Sequence, residues 1–175
     1  MLNGSRGMVV AFALVVGGCV AHDGTIEVKT DPFVGQLRTF SLSLDGGNWN
    51  AIDVDEAKGE YTVTVRVAKV GASLNVAHPG DKGEFAVGGQ ILTFENTAEV
   101  RPATIDAGTY FLTFWKLVYK LDKQQAARFA EGPLKAVKVM VGSDPVQVEP
   151  NAERAAKFQQ NMATLTGAAS GVASK

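Results

Sequence analysis

The chain has 175 residues, with 17 Lys and Arg against 18 Asp and Glu for a net charge of −1, and it holds two histidines and one cysteine. That length is enough for one ordinary apolar core. The near-neutral charge lacks the footprint of a nucleic-acid binder, a single cysteine excludes a disulfide within the chain, and two histidines leave little from which to build a zinc or copper site.

The first elements in chain order form an address. Met1 to Gly7 is polar and carries one cation, Arg6; nine apolar residues follow, Met8 to Val16, and then small ones. This is the layout of a secretory signal peptide, and nine helical residues span only about 14 Å, too short for a hydrocarbon core. The run ends in Val16-Gly17-Gly18-Cys19, where the chain's one cysteine stands. These four residues resemble the lipobox of bacterial lipoproteins, with Val16 in place of the usual Leu. The resemblance implies cleavage after residue 18 and a Cys19 that carries a diacylglyceryl thioether and an acylated amine, typically a palmitate. Membrane lipid, reached through acylated Cys19, would then be the first partner. Val20 rather than Asp follows, which by likeness to enterobacterial lipoproteins points to the outer membrane, facing the periplasm or the surface. The alternative is plain cleavage near Ala21 and a soluble secreted chain. Removing Arg6 from the 17 basic residues leaves 16 against 18 acids in the mature chain.

Residues 19–24 read as a short lipidated tether, 25–166 as one globular domain, and the small, polar stretch 167–175 as a disordered tail. Thr25 to Thr30 alternates and predicts a first strand; Asp31-Pro32-Phe33-Val34-Gly35 is a turn, because Pro32 fixes φ and Gly35 frees it. Arg38 to Leu44 alternates again, and Asp45-Gly46-Gly47 breaks it. Glu60 to Val70 sets Tyr61, Val63, Val65 and Val67 on one face and Thr62, Thr64, Arg66 and Ala68 on the other, so it reads as an antiparallel strand with one wet side. Phe85 and Val87, Gly88-Gly89, then Gln90 to Glu95 predict a tight hairpin with φ > 0 at both glycines. Thr109 to Tyr119 is apolar on both faces, which predicts a central strand covered on both sides, with two helices available to pack over its second face. A short helix is expected over 122–131, with Asp122 and Gln125 as a capping box and Gly132-Pro133 as the stop. Ala136 to Val148 reads as a hairpin. A last helix is expected over 151–165, capped by Asn151, with Ala155, Phe158, Met162 and Leu165 on its buried stripe.

The fold class that follows is mainly β, an α+β domain: one antiparallel β-sandwich of about eight strands with the two helices. The order is also similar to that of a loose group of β-rich bacterial lipoproteins. In those, an Asp-Pro-Phe-x-Gly turn (here Asp31 to Gly35) opens the domain, and a Tyr-x-Leu helix entry (here Tyr119 to Ala130) precedes a strand, a hairpin and a Phe-bearing helix (here Phe158). The likeness implies a fold and brings no activity.

Candidate chemistry is sparse. His22 lies in the tether, and His78 stands in a polar loop near Ser73 and Asp81; a lone loop histidine is more often a solvated group than a base. Asp53-Val54-Asp55-Glu56-Ala57-Lys58-Gly59 gathers three carboxylates, but the spacing fails the calcium-loop pattern and reads as a solvated acidic loop. No catalytic residue, metal ligand or cofactor is nominated. The aromatic run Tyr110, Phe111, Phe114, Trp115 and Tyr119 is expected in the core. Trp49, in a polar loop, is either an exposed interaction anchor or a lid folded over the core.

The expected function is therefore that of a membrane-anchored envelope lipoprotein without enzymatic activity, a protein-interaction, assembly or scaffold module with an envelope protein as partner and no nucleic acid. The alternative is a binder of a small ligand or lipid, with an apolar pocket between sheet and helices lined by residues such as Phe94, Phe111 and Trp115.

Overall fold

The computed structural model describes residues 23–47 and 49–168. Ten strands and two helices follow in the order β1 (Glu27–Asp31), β2 (Gly35–Ser43), β3 (Ala51–Ala57), β4 (Glu60–Val70), β5 (Lys82–Val87), β6 (Gln90–Glu95), β7 (Ala103–Asp106), β8 (Phe111–Leu121), α1 (Lys123–Ala127) continued by a 3-10 turn (Arg128–Ala130), β9 (Leu134–Val141), β10 (Asp144–Val148) and α2 (Ala152–Thr166). All pairings are antiparallel; one sheet has the order β1-β2-β3-β4-β8-β7 and the other β10-β9-β5-β6. The fold is the expected mainly-β sandwich, with ten strands rather than about eight.

The inner face of the six-stranded sheet follows from strand alternation and register. Phe40, Val54, Val63 and Tyr119 form one cross-strand row, and Leu42, Ile52, Val65 and Leu117 form the next. All eight are buried. The facing sheet contributes Phe85, Leu92, Val137, Val139, Val146 and Val148. Gly83 lies opposite Tyr119 with room for no side chain, since a Cβ there would sit 2.6 Å from Tyr119 Cζ. A chain of packed rings, Tyr119, Phe85, Phe129, Phe158 and Phe40, with centroids 5.2 to 5.9 Å apart, runs through the core from the six-stranded sheet to Phe85 of the four-stranded one, then past both helical elements and back to the six-stranded sheet.

The caps form as the sequence predicts. Asp122 Oδ1 accepts from Gln125 N while Gln125 Oε1 accepts from Asp122 N, and Asn151 Oδ1 accepts from Arg154 N. The predicted stripe of α2 is buried at all four positions, and Gly88 and Gly89 both take positive φ, 56° and 89°. Gly167 closes α2 in the left-handed conformation and Ala168 packs against the core; residues 169–175, which cover most of the expected tail, lie outside the described residues.

Two expectations are corrected, and one strand was not foreseen. The acidic stretch from Asp53 is not a loop: Ala51–Ala57 is β3, paired on both sides, and only Lys58-Gly59 turns, Lys58 at φ 54°. Acidic side chains lower strand propensity, but Ile52 and Val54 supply the buried face and outweigh them. β7, all four residues exposed, had no periodic apolar signal to betray it. The helices do not cover the second face of β8. They pack at the rim between the sheets, α2 against β2 and β9, so Lys116 and Lys120 of β8 are exposed and Phe114 and Val118 only half-buried.

Candidate functional site

The outer face of the six-stranded sheet breaks the alternation that water imposes on an exposed surface. Near β2 it is polar. Asp53 takes both Arg66 Nε (2.9 Å, to Oδ2) and Nη2 (3.0 Å, to Oδ1), and it accepts the Ser41 hydroxyl, which also receives Arg66 Nη2 at 3.2 Å. Toward β7 the face turns apolar. Ala68, Phe114 and Ala103 form one cross-strand row, and Val70, Leu112 and Ile105 form the row beside it on the same face. Val70 and Ile105 are exposed.

Trp49 lies against this strip, and the residues on either side of its loop are hydrogen-bonded to each other and to β4. Leu44 N–H donates to Asn50 O, Asn50 Nδ2 donates to Asp45 Oδ2 at 2.6 Å, and Asn50 Oδ1 receives Ala68 N–H at 2.8 Å. The loop is thereby fastened along β4. The indole tilts on the Phe114 ring at 5.2 Å between centroids and keeps 47% of its surface exposed. Trp49 is therefore not a lid over the core; it lies on the opposite side of the sheet from the core.

The other residues named from the sequence do not converge. Cys19 and His22 lie outside the described residues. His78 is exposed, and Asp81 accepts its backbone N–H (2.8 Å) rather than its ring. Asp53 and Glu56 point to opposite faces of β3, as an odd sequence separation requires. Among the described residues no group of three or more His, Cys, Asp and Glu could hold a metal. The expected aromatic core divides: Trp115 and Tyr119 are buried, Phe114 is half-buried, and Tyr110 and Phe111 are exposed. Phe94 packs on Phe85 and Phe129, Trp115 is buried with its Nε1 donating to Asn75 O, and Phe111 is exposed at the start of β8. The two notable concavities are open grooves along α2, one of them beside Asp23, Leu42 and Lys157.

Two groups that sequence reasoning missed fix the geometry. Glu56, on the inner face, pairs with Arg38 Nε at 2.7 Å and accepts Gly59 N–H at 3.0 Å, while Arg38 Nη2 (2.7 Å) and Tyr61 Oη (3.2 Å) both donate to Leu165 O at the end of α2. Burial works to raise the Glu56 carboxyl, but the bonds from Arg38 and Gly59 prevail and hold it below its ordinary range. Desolvation, aided by Glu56, raises the Tyr61 phenol. Asn96 is buried and bridges the sheets, donating to His78 O at 3.0 Å and accepting Val118 N–H at 3.0 Å. A long-range ion pair carries no local spacing, but an Asn at the exit of β6 was a readable capping residue.

No helix among the described residues is long and apolar enough to cross a membrane. Comparison of the chain with protein-family models, curated proteins and solved structures returns no match.

Proposed function

We propose that this chain is an envelope lipoprotein, anchored through acylated Cys19, whose β-sandwich acts as a non-enzymatic protein-interaction or scaffold module. The lipobox-like Val16-Gly17-Gly18-Cys19 supports the anchor. The observation that carries the interaction reading is the apolar strip on the outer face of the six-stranded sheet, with Trp49 seated on Phe114. A sheet face left to water keeps polar residues at these positions; apolar rows beside a half-exposed indole are the composition of an interface hot spot. The adjoining edge strand β7 adds unpaired backbone groups that a partner strand can extend.

The test is site-specific photocrosslinking in native membranes. A photoreactive residue at Trp49 or Ile105 is expected to yield one discrete protein adduct, and the same residue at Lys135, on the other sheet, none. Trp49→Ala should abolish the adduct formed from Ile105 while leaving the thermal midpoint within a few degrees, because the indole is outside the core. Equal labelling from all three positions, or from none, defeats the interaction reading.

A further inference from the structure

The strand register gathers the exposed apolar residues at one end of the molecule. β2 ends at Ser43 where β3 begins at Ala51; beside them β4 ends at Val70, β8 begins at Phe111 and β7 ends at Asp106. Ten large apolar side chains are exposed among the described residues, and six of them lie at this end: Trp49, Val70, Leu74, Ile105, Tyr110 and Phe111. Leu74, 92% exposed, is held there because Ser73 N–H donates to Thr113 Oγ1 (3.2 Å) and Trp115 Nε1 to Asn75 O (2.8 Å). The opposite end carries only Phe33 and Val34, in the β1–β2 turn, and the remaining two, Val28 and Ile91, stand on separate strands.

The described chain begins at the same end. Asp23 bridges Leu42, Gly24 N–H donates to Ser41 O, and Asn161 Nδ2 donates to Gly24 O at 2.6 Å. Gly24 is wedged between β2 and α2 at φ 78°, where a Cβ would meet Leu42 Cδ1 at 3.0 Å and Lys157 Cγ at 3.1 Å. The entry point is thus fixed to the fold beside the loop that carries Trp49. Cys19 precedes Asp23 by four residues, a reach of at most about 14 Å.

We propose that this end of the six-stranded sheet docks on the lipid bilayer, with Leu74, Tyr110 and Phe111 at the headgroup level and Trp49 at their margin. The inference rests on the lipoprotein reading, since acylated Cys19 supplies the tether that brings this end down. Trp and Tyr favour the membrane interface, where an apolar ring and a polar tip are both accommodated. The nearby charges offer nothing to anionic lipid: Lys69 pairs with Asp144 at 3.2 Å, and Asp106 and Asp45 remain anionic, each bonded within its own turn. Docking therefore requires no anionic lipid. It also stands the apolar strip upright beside the bilayer, so its protein partner must itself be at the membrane surface.

The test uses the full chain in phosphatidylcholine vesicles. Because Cys19 is the chain's one cysteine and its sulfur is consumed by acylation, Leu74→Cys offers a unique thiol for a nitroxide; Phe33→Cys places the same label at the far end. Intact mass is read first. An acylated protein whose label at 74 loses collisions with a water-soluble nickel chelate and gains them with oxygen, while the label at 33 stays aqueous, supports docking. The combined Tyr110→Ser and Phe111→Ser change should return the label at 74 to water without releasing the protein from the vesicles. Equal water access at both positions on acylated protein overturns docking and leaves the lipoprotein reading standing. A label sheltered only in native membranes overturns it in favour of a protein occupant, and dipolar broadening between labels in favour of a second copy. A mass without acyl chains removes the lipoprotein reading, and docking falls with it.

Discussion

Tyr119 fills the space that Gly83 leaves between the two sheets, and its buried hydroxyl has no hydrogen-bond partner among the described residues. A buried polar group left unpaired costs about 1–3 kcal/mol, so Tyr119→Phe should stabilise the domain by about 1 kcal/mol in urea titrations. Burial first, and then the charge of Asp81, raise this phenol above the ordinary tyrosine value of 10. The folded state therefore holds the proton more tightly than the unfolded one, and stability falls as pH rises above 10. Tyr119→Phe should flatten that alkaline decline; an unchanged alkaline limb would assign it to other groups. Gly83→Ala acts in the opposite direction, because its Cβ would lie 2.8 Å from Tyr119 Cε1, and overpacking of this kind costs about 1–3 kcal/mol. Glu56 titrates at the acid end. Its folded value lies below the ordinary 4.5, so its contribution is whole above pH 4.5 and is lost as pH falls through the lowered value. Glu56→Gln should therefore be less stable than the parent at pH 7 and lose less stability on acidification below pH 4.5.

Elements whose signal is periodic were legible, and those whose signal is tertiary were not. β4 and α2 announce themselves because every second, or every third and fourth, residue is apolar and buried. β3 was hidden because Asp53, Asp55 and Glu56 dominate its composition; only Arg66 and Arg38, 13 and 18 residues distant in sequence, make a strand of them tolerable. β7 was hidden because it buries nothing. The outer-face strip escaped for a related reason: Phe114 and Leu112 were read as half of a two-sided core, whereas the register, which the sequence does not show, sets them beside Val70 and Ile105, both exposed, and leaves Phe114 half-buried. A turn-to-turn contact was equally invisible. Gly88, in the β5–β6 turn, and Gly132, after the 3-10 turn, meet backbone to backbone, and a Cβ on Gly132 would collide with Gly88 Cα and stand 2.9 Å from its N. Neither backbone can yield without moving its turn, so Gly132→Ala is expected to cost about 2–3 kcal/mol, while Gly47→Ala, whose nearest neighbour is its own loop's Asp45, should cost less. Denaturation midpoints of the two variants side by side decide the point.

At the scale of the whole molecule, the two sheets and both helical elements share one core with no disulfide to reinforce it. Phe129 is where they meet: its ring packs on Phe85 at 5.2 Å and Phe94 at 5.7 Å from the four-stranded sheet, and on Phe158 of α2 at 5.6 Å, which in turn meets Phe40 of the six-stranded sheet. Removing a buried phenyl ring typically costs about 3–5 kcal/mol, against a total of about 5–15 kcal/mol for a domain. Phe129→Ala should therefore remove a large share of the stability, and because the ring serves every layer, it should do so in a single step. The measurement is guanidinium denaturation followed by two probes. Trp115, 2% exposed on β8, reports the six-stranded sheet by fluorescence in a Trp49→Phe background, and far-ultraviolet dichroism reports the whole. Coincident transitions that shift together to lower denaturant are expected. Separate midpoints would mean that the sheets unfold independently and that the ring chain does not couple them, in which case an apolar strip on one sheet could be reshaped by its partner without disturbing the other.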